Sequence, residues 1–151
     1  MADTTKSVRK SFATWGTELV FRVDSRNVQT FSDFKREVSA SWAKHPRIGG
    51  KDRSEFLRPN PQRVTMTAVF DASLLMDLDP VDRPQKYAPR TQLDTISAAI
   101  ENGKTNYLII NGKKVGSNRW AITSASEAWQ YFTPDGKLIR AEVDLTLEEY
   151  L

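Results

Sequence analysis

The sequence predicts an α+β domain, an antiparallel β-sandwich or split barrel with one main flanking helix. Three observations carry that expectation. Segments that alternate apolar with polar residues recur at residues 34–42 and 63–70 and along two long runs between residues 118 and 147. A helical period with terminal signals occurs clearly once, at residues 91–102, so no second crossover helix exists to build a parallel sheet. The length, 151 residues, fits one domain with a single sizeable core.

Residues 1–13 are small, polar and basic, with Lys6, Arg9 and Lys10 and no period, and read as a flexible arm ahead of one domain at 14–151. Residues 17–23 are β-branched and aromatic, a strand by propensity. Asp24, Ser25, Arg26 and Asn27 supply a turn, and residues 28–31 pair back. Residues 34–42 alternate as a half-buried strand, with Phe34, Val38, Ala40 and Trp42 on one side; Arg36 interrupts that side.

Residues 44–62 have no usable period and contain Pro46, Pro59, Pro61, Gly49 and Gly50, so a long loop is expected. Lys44, Arg47, Lys51, Arg53, Arg58 and the adjoining Arg63 face only Asp52 and Glu55, a larger positive excess than the +3 of the whole protein. Ile48, Phe56 and Leu57 within it are costly to leave in water, and the loop is expected to dock on something.

Residues 63–70 form a strand with Val64, Met66, Ala68 and Phe70 inward. Residues 71–89 are acidic and then proline-rich, with Leu74, Leu75, Met76 and Leu78 in one helical turn. The helix at 91–102 is expected to be capped by Thr91, to place Asp94 in its first turn, to bury Leu93, Ile96, Ala99 and Ile100, and to end at Gly103. Residues 107–110 follow as a strand, with turn signals at Asn111, Gly112, Val115 and Gly116.

The last two strands meet at Thr133, Pro134, Asp135, Gly136 and Lys137. Proline fixes φ near −65°, which suits the first central position of a type I turn and rules out a type I′ turn. A three-residue loop with Gly136 at the left-handed bulge position follows. Thr133 then opposes Lys137, Tyr131 opposes Ile139, Trp129 opposes Ala141, Ala125 opposes Leu145 and Thr123 opposes Leu147. That face is mostly apolar, with Glu127 opposite Val143 as its exception. The other, wet face carries Ser124, Ser126, Ala128 and Gln130 opposite Arg140, Glu142, Asp144 and Thr146. The two-residue alternative would bury hydroxyls and an amide among apolar partners.

Several chemistries are excluded or disfavoured. Lys plus Arg number 22 against 19 Asp plus Glu, too weak an excess to argue nucleic-acid binding despite a pI near 9.2. Cysteine is absent, which removes disulfides, thiolate chemistry and Cys-based zinc sites. No apolar run reaches signal-peptide or membrane-span length, so neither a membrane segment nor a cleavable export signal is expected. The single histidine, His45, precedes Pro46 and reads as solvated rather than catalytic. No Walker A, Gly-rich cradle or zinc-protease motif occurs. Asp77 and Asp79 lack the ligand pattern of a calcium loop. Glu142 and Asp144 share an open strand face and read as solvated rather than as an acid/base pair. No catalytic residue, metal or cofactor is assigned, and an enzyme is disfavoured.

With the elements placed, the chain resembles the GpU family of small tail proteins from contractile-tailed phages and phage-tail-like particles. The likeness runs from about residue 16 to residue 147. It is carried by the opening strand from Gly16 to Phe21, by Trp42 followed by Arg47, Ile48 and Gly49 and then Phe56 and Leu57, by the helix leading into residues 107–110, and by Phe132 with Asp135 and Gly136 before the terminal strand. Arg58 and Pro59 stand where the family commonly turns through glycine, and Ala68 where its strand often has glycine.

The resemblance implies a virion structural protein with a tail-tube-like fold, assembled in the host cytoplasm. Such subunits form a hexameric ring whose sheets join into an inner barrel. The implied place is the distal tail tube next to the baseplate hub, as a tube initiator; a tail completion or terminator ring is the alternative. Implied partners are further copies of the chain, the tail tube protein and baseplate hub proteins, with the tape measure protein in the lumen and DNA in transit. On this reading Arg47, Ile48, Lys51, Arg53, Phe56 and Leu57 belong to an inter-subunit loop. Ser124, Ser126, Gln130, Arg140, Glu142 and Asp144 face the lumen. A competing class is a single-stranded nucleic-acid-binding β module, which needs exposed aromatic residues beside basic ones. Trp129 and Tyr131 are expected on the apolar side and argue against it.

Overall fold

Alternating sequence becomes a sheet here because one face of each central strand finds a core. The computed structural model describes residues 12–23, 28–73 and 88–151. The basic residues 1–11 and the leucine-rich turn expected near 74–78 lie outside them. The strands are β1 (Ala13–Trp15), β2 (Leu19–Val23), β3 (Val28–Glu37), β4 (Ala40–His45), β5 (Arg53–Pro59), β6 (Arg63–Asp71), β7 (Thr105–Asn106), β8 (Leu108–Ile110), β9 (Lys113–Lys114), β10 (Arg119–Phe132) and β11 (Leu138–Tyr150), with helix α1 (Pro89–Glu101) between β6 and β7. Nine strands form one antiparallel sheet in the order β7-β10-β11-β6-β3-β2-β1-β8-β9, and β4 pairs with β5 alone.

The long sheet curls over itself. Trp15, on β1, donates its indole N–H to the backbone carbonyl of Trp120 on β10 at 2.9 Å, although four strands separate them in the sheet. Nearby, Asn106 of β7 donates to the Glu18 carboxylate at 2.8 Å, and Lys104 pairs with the same group. Gly16 (φ +63°) makes this approach possible, because a Cβ there would lie 2.5 Å from side-chain atoms of Asn106 and Glu18. The sheet remains open rather than closing into a barrel, the split arrangement of an α+β domain.

Inside the curl lie Trp15, Leu19, Phe21, Leu108 and Trp120, together with the inward residues of the two central strands. On β6 these are Val64, Met66, Ala68 and Phe70, as the alternation predicts; on β11 they are Ala141, Val143, Leu145 and Leu147. Burying each large aliphatic or aromatic side chain contributes about 1.5–3 kcal/mol. Helix α1 lays Leu93, Ile96 and Ala99 on this core, with Ile100 partly buried. It starts two residues earlier than Thr91: Pro89 occupies the first turn after an extended Ala88, and no side chain caps it. Thr91 therefore lies within the helix, accepting at its carbonyl from Thr95, and Asp94 sits beyond the first turn, 3.8 Å from Arg90. The C-terminus ends as expected, with Gly103 at φ +63° and bonds from Gly103 N–H to Ile100 and from Lys104 N–H to Ala99.

Both turn readings around the last strands hold. Asn111 (φ +52°) and Gly112 (φ +74°) join β8 to β9 as a two-residue hairpin. At the other turn, Gly136 N–H bonds to the Thr133 carbonyl, Thr133 N–H bonds to the Lys137 carbonyl, and Gly136 has φ +91°. From there the register matches the expectation between Ser124 and Trp129 and departs at its ends. A bulge at Gln130 brings Tyr131 opposite Arg140 instead of Ile139, and another at Thr123 brings Ile122 opposite Leu147.

Three expectations need correction. Residues 34–42 are not one strand: β3 runs back to Val28 and stops at Glu37, and β4 starts at Ala40, the chain bending where Asn60 N–H bonds to the Ser39 carbonyl. Residues 44–62 are not a structureless loop, because β5 pairs along β4 from His45↔Arg53 to Ala40↔Pro59. Ala13, assigned to the flexible arm, is a buried residue of β1.

Candidate assembly interface

The face of β3, β6, β11 and β10 that points away from the core is the wet face the sequence anticipates. Across it, Ser124 opposes Thr146, Ser126 opposes Asp144, and Ala128 opposes Glu142; Glu142 in turn opposes Val69, and Asp144 opposes Thr67. Arg140 sits in a built polar node. It donates to Gln130 at 2.8 Å, to Asp71 at 3.1 Å and to Glu142 at 3.2 Å. Burial pushes the Asp71 carboxyl up, but hydrogen bonds from Ser73 and the Arg140 guanidinium outweigh it and hold the pKa below its usual value. Asp144 accepts from Thr67 at 2.9 Å, and Arg63 pairs with Glu148 at 2.9 Å. Thr65, Thr67 and Asp71 of β6 and Lys35 of β3 complete this face; alternation places the two threonines and the lysine on the polar sides of their strands, but nothing in the sequence sets those strands beside the hairpin.

The same four strands have two unpartnered edges among the described residues. β10 meets β7 only at Trp120 and Ala121, so from Ile122 to Phe132 its outer side bonds to no strand. β3 meets β2 only at Val28 and Gln29, so from Thr30 to Glu37 its outer side is also open. β9, at the far end of the sheet, is two residues long and made of Lys113 and Lys114, the usual guard against edge pairing. The β10 edge has no lysine or proline and a single charge, Glu127.

Trp129 and Tyr131 do not lie in the core. They are 39% and 63% exposed, with Phe132 beside them, because the tip of β10 runs past the strands that would cover it. The indole of Trp129 donates to Glu127 at 3.0 Å, which gives that otherwise unexplained carboxylate a partner, and Arg90 sits 4.9 Å above the Trp129 ring. The aromatic residues of the hairpin, expected on the apolar side, are thus exposed beside a basic one, as a nucleic-acid module would need.

The β4–β5 hairpin forms a separate arm. It exposes Trp42, Phe56, Leu57 and, at its tip, Ile48, and Arg47, Lys51 and Arg53 lie on it, so all six residues of the expected loop come together. His45 and Glu55 pair across it at 2.8 Å. No group of carboxylate, histidine or cysteine side chains among the described residues could hold a metal ion. None of the described helices is long and apolar enough to cross a membrane.

Against this geometry, the family profile described as Phage P2 GpU matches residues 18–151. The chain belongs to that family. Membership supports a structural role in a phage tail, interaction with other tail components and a non-enzymatic function. A search of curated proteins returned no match.

Proposed function

We propose that the protein forms a head-to-tail hexameric ring at the distal end of the tail tube next to the baseplate hub, where it initiates the tube, with its wet face lining the channel. The observation that carries the ring is the pair of open edges on β10 and β3. Following the ladder from β10 through β11 and β6 to β3, each strand reverses direction, so β3 of the next copy meets β10 antiparallel and the sheet continues without a break. The edges are different surfaces, so their pairing is heterologous and generates a ring once the rotation closes. Family resemblance supports the place beside the hub.

On this reading Ser124, Ser126, Gln130, Arg140, Glu142 and Asp144 face the lumen. The arm, with Arg47, Ile48, Lys51, Arg53, Phe56 and Leu57, reaches the adjacent component.

Along a strand, successive N–H groups point to opposite sides, so of Glu127 and Ala128 one donates to β11 and the other outward. Glu127→Pro and Ala128→Pro form a matched pair. The variant that loses only an outward donor stays folded but drops from ring to monomer mass in native mass spectrometry. Rings of normal mass from both folded variants would refute pairing through β10.

A further inference from the structure

We infer that the β4–β5 arm docks into an acid-rimmed apolar groove on a different tail protein, with Trp42 and Phe56 as its anchors, rather than onto another copy of this chain. This rests on the tail-assembly reading above and names the chemistry of the partner. A two-stranded hairpin is marginal in water on its own, and every residue of β5 is exposed. The base is pinned: Asn60 N–H bonds to the Ser39 carbonyl at 3.0 Å, and the Asn60 side chain meets Ser39 and Ser41 at 3.1 and 2.8 Å. Beyond that base, Trp42 and Phe56 stand side by side on one face, ring centroids 5.3 Å apart and 72° inclined. Ile48 at the tip is fully exposed. Lys44, Arg47, Lys51, Arg53 and Arg58 exceed Asp52 and Glu55 by three charges, the net charge of the entire protein. An apolar strip bordered by cations fits a groove bordered by carboxylates.

This chain offers no such groove among its described residues. The exposed aromatic tip of β10 carries Arg90 over Trp129, and its Glu127 is engaged by the Trp129 indole. The wet face has a cleft lined by Asp71, Ser73, Tyr131, Ile139 and Arg140, but Arg140 stands in it and holds both Asp71 and Glu142, so its rim is not a free row of carboxylates. Near exposed Tyr150, Glu148 is paired with Arg63, and Glu149 accepts from Asn118 and the Gln62 N–H. Single-stranded nucleic acid fits less well, because the edge-to-face contact of Trp42 with Phe56 occupies a ring face that a base would need for stacking. Asp52 and Glu55 would also face its phosphates.

The test uses the full chain against the purified tail tube protein and the purified hub-facing baseplate protein of the same particle, each immobilised separately. One of them binds. Trp42→Ala with Phe56→Ala weakens that binding about thirtyfold, the loss of an anchor residue. Arg47→Glu with Lys51→Glu and Arg53→Glu also weakens it, and wild-type binding falls as salt rises. All these positions are exposed, so circular dichroism and the ring mass stay unchanged. Ring mass lost in the arm variants would place the arm on another copy and overturn the inference. So would binding to neither protein, capture indifferent to the variants, or arm-dependent binding of a single-stranded oligonucleotide. A monomeric wild type with arm-dependent capture would refute the ring and uphold the docking.

Discussion

Trp15→Phe tests whether the curl of the sheet is held where the structure places it. Trp15 is 1% exposed, and its indole N–H reaches a carbonyl 105 residues away in sequence. Phenylalanine keeps an aromatic ring there but removes the donor, leaving the Trp120 carbonyl short of a partner it cannot replace with water, at about 1–3 kcal/mol. The two missing ring carbons add about 1.6 kcal/mol, at roughly 0.8 kcal/mol per methylene-sized group. The sum, about 2.5–4.5 kcal/mol, lowers Tm by roughly 5–18 °C for a chain of this size. Urea melts followed by tryptophan fluorescence measure it, with Trp120→Phe as control: its indole N–H serves only the nearby Val115 carbonyl, at 2.7 Å. Amide exchange distinguishes the two. Trp15→Phe frees the amides of β1, β2 and β8 together, whereas Trp120→Phe acts on β10 first. A loss below about 0.5 kcal/mol for Trp15→Phe would mean that the two halves of the sheet are not fastened through this bond.

Ile96→Ala, at the centre of the buried stripe of α1, costs about 2–5 kcal/mol in urea melts; a small loss would mean that the helix faces away from the sheet. The pKa of Glu18 is lowered, first by the hydrogen bond from Lys104 and against the cost of burial. A carboxylate with a lowered folded pKa contributes stability above its ordinary value near 4.5, and that stability is lost as pH falls through the folded value. Thermal melts from pH 6 down to pH 2 therefore show an acid limb that is shallower in Lys104→Met, and identical limbs would remove Glu18 as a contributor. Glu142→Lys with Asp144→Lys leaves rings that assemble but retain DNA or obstruct its passage, while tails with normal delivery would show that these residues do not line the channel.

What sequence revealed was burial, and it revealed pairing only where burial accompanied it. β6 and the Leu93, Ile96, Ala99 stripe were legible because one face of each meets the core. The β4–β5 hairpin was not, since neither of its strands has a buried face and no alternation marks β5. Chain order also misled at residues 34–42, where alternation continues across the bend at Val38 and Ser39. For Trp129 the register was right and the environment wrong: a side chain can point to the apolar side of a hairpin at a level where nothing covers that side. The polar node had no local signal, because Asp71 and Arg140 are 69 residues apart. Open edges belong to topology, and no residue pattern announces the point where β2 leaves β3.

Those edges and the wet face constrain one another. Joining β10 to β3 of a neighbour turns the same side of every subunit inward, so each charge on that side is repeated around the wall. A wall that held free cations would release counterions from a polyanion and grip it. Here Arg140 is committed to Asp71 and Glu142, Arg63 to Glu148, and Arg119 lies over the Tyr107 ring. Four cations, Lys35, Arg63, Arg119 and Arg140, stand against Glu37, Asp71, Glu142, Asp144 and Glu148, and small hydroxyl side chains fill much of the remaining surface. The excess cations of the protein lie instead on the arm, outside the sheet that would form the wall. Separating the two is what a tube needs if it must bind its neighbours firmly and its cargo hardly at all.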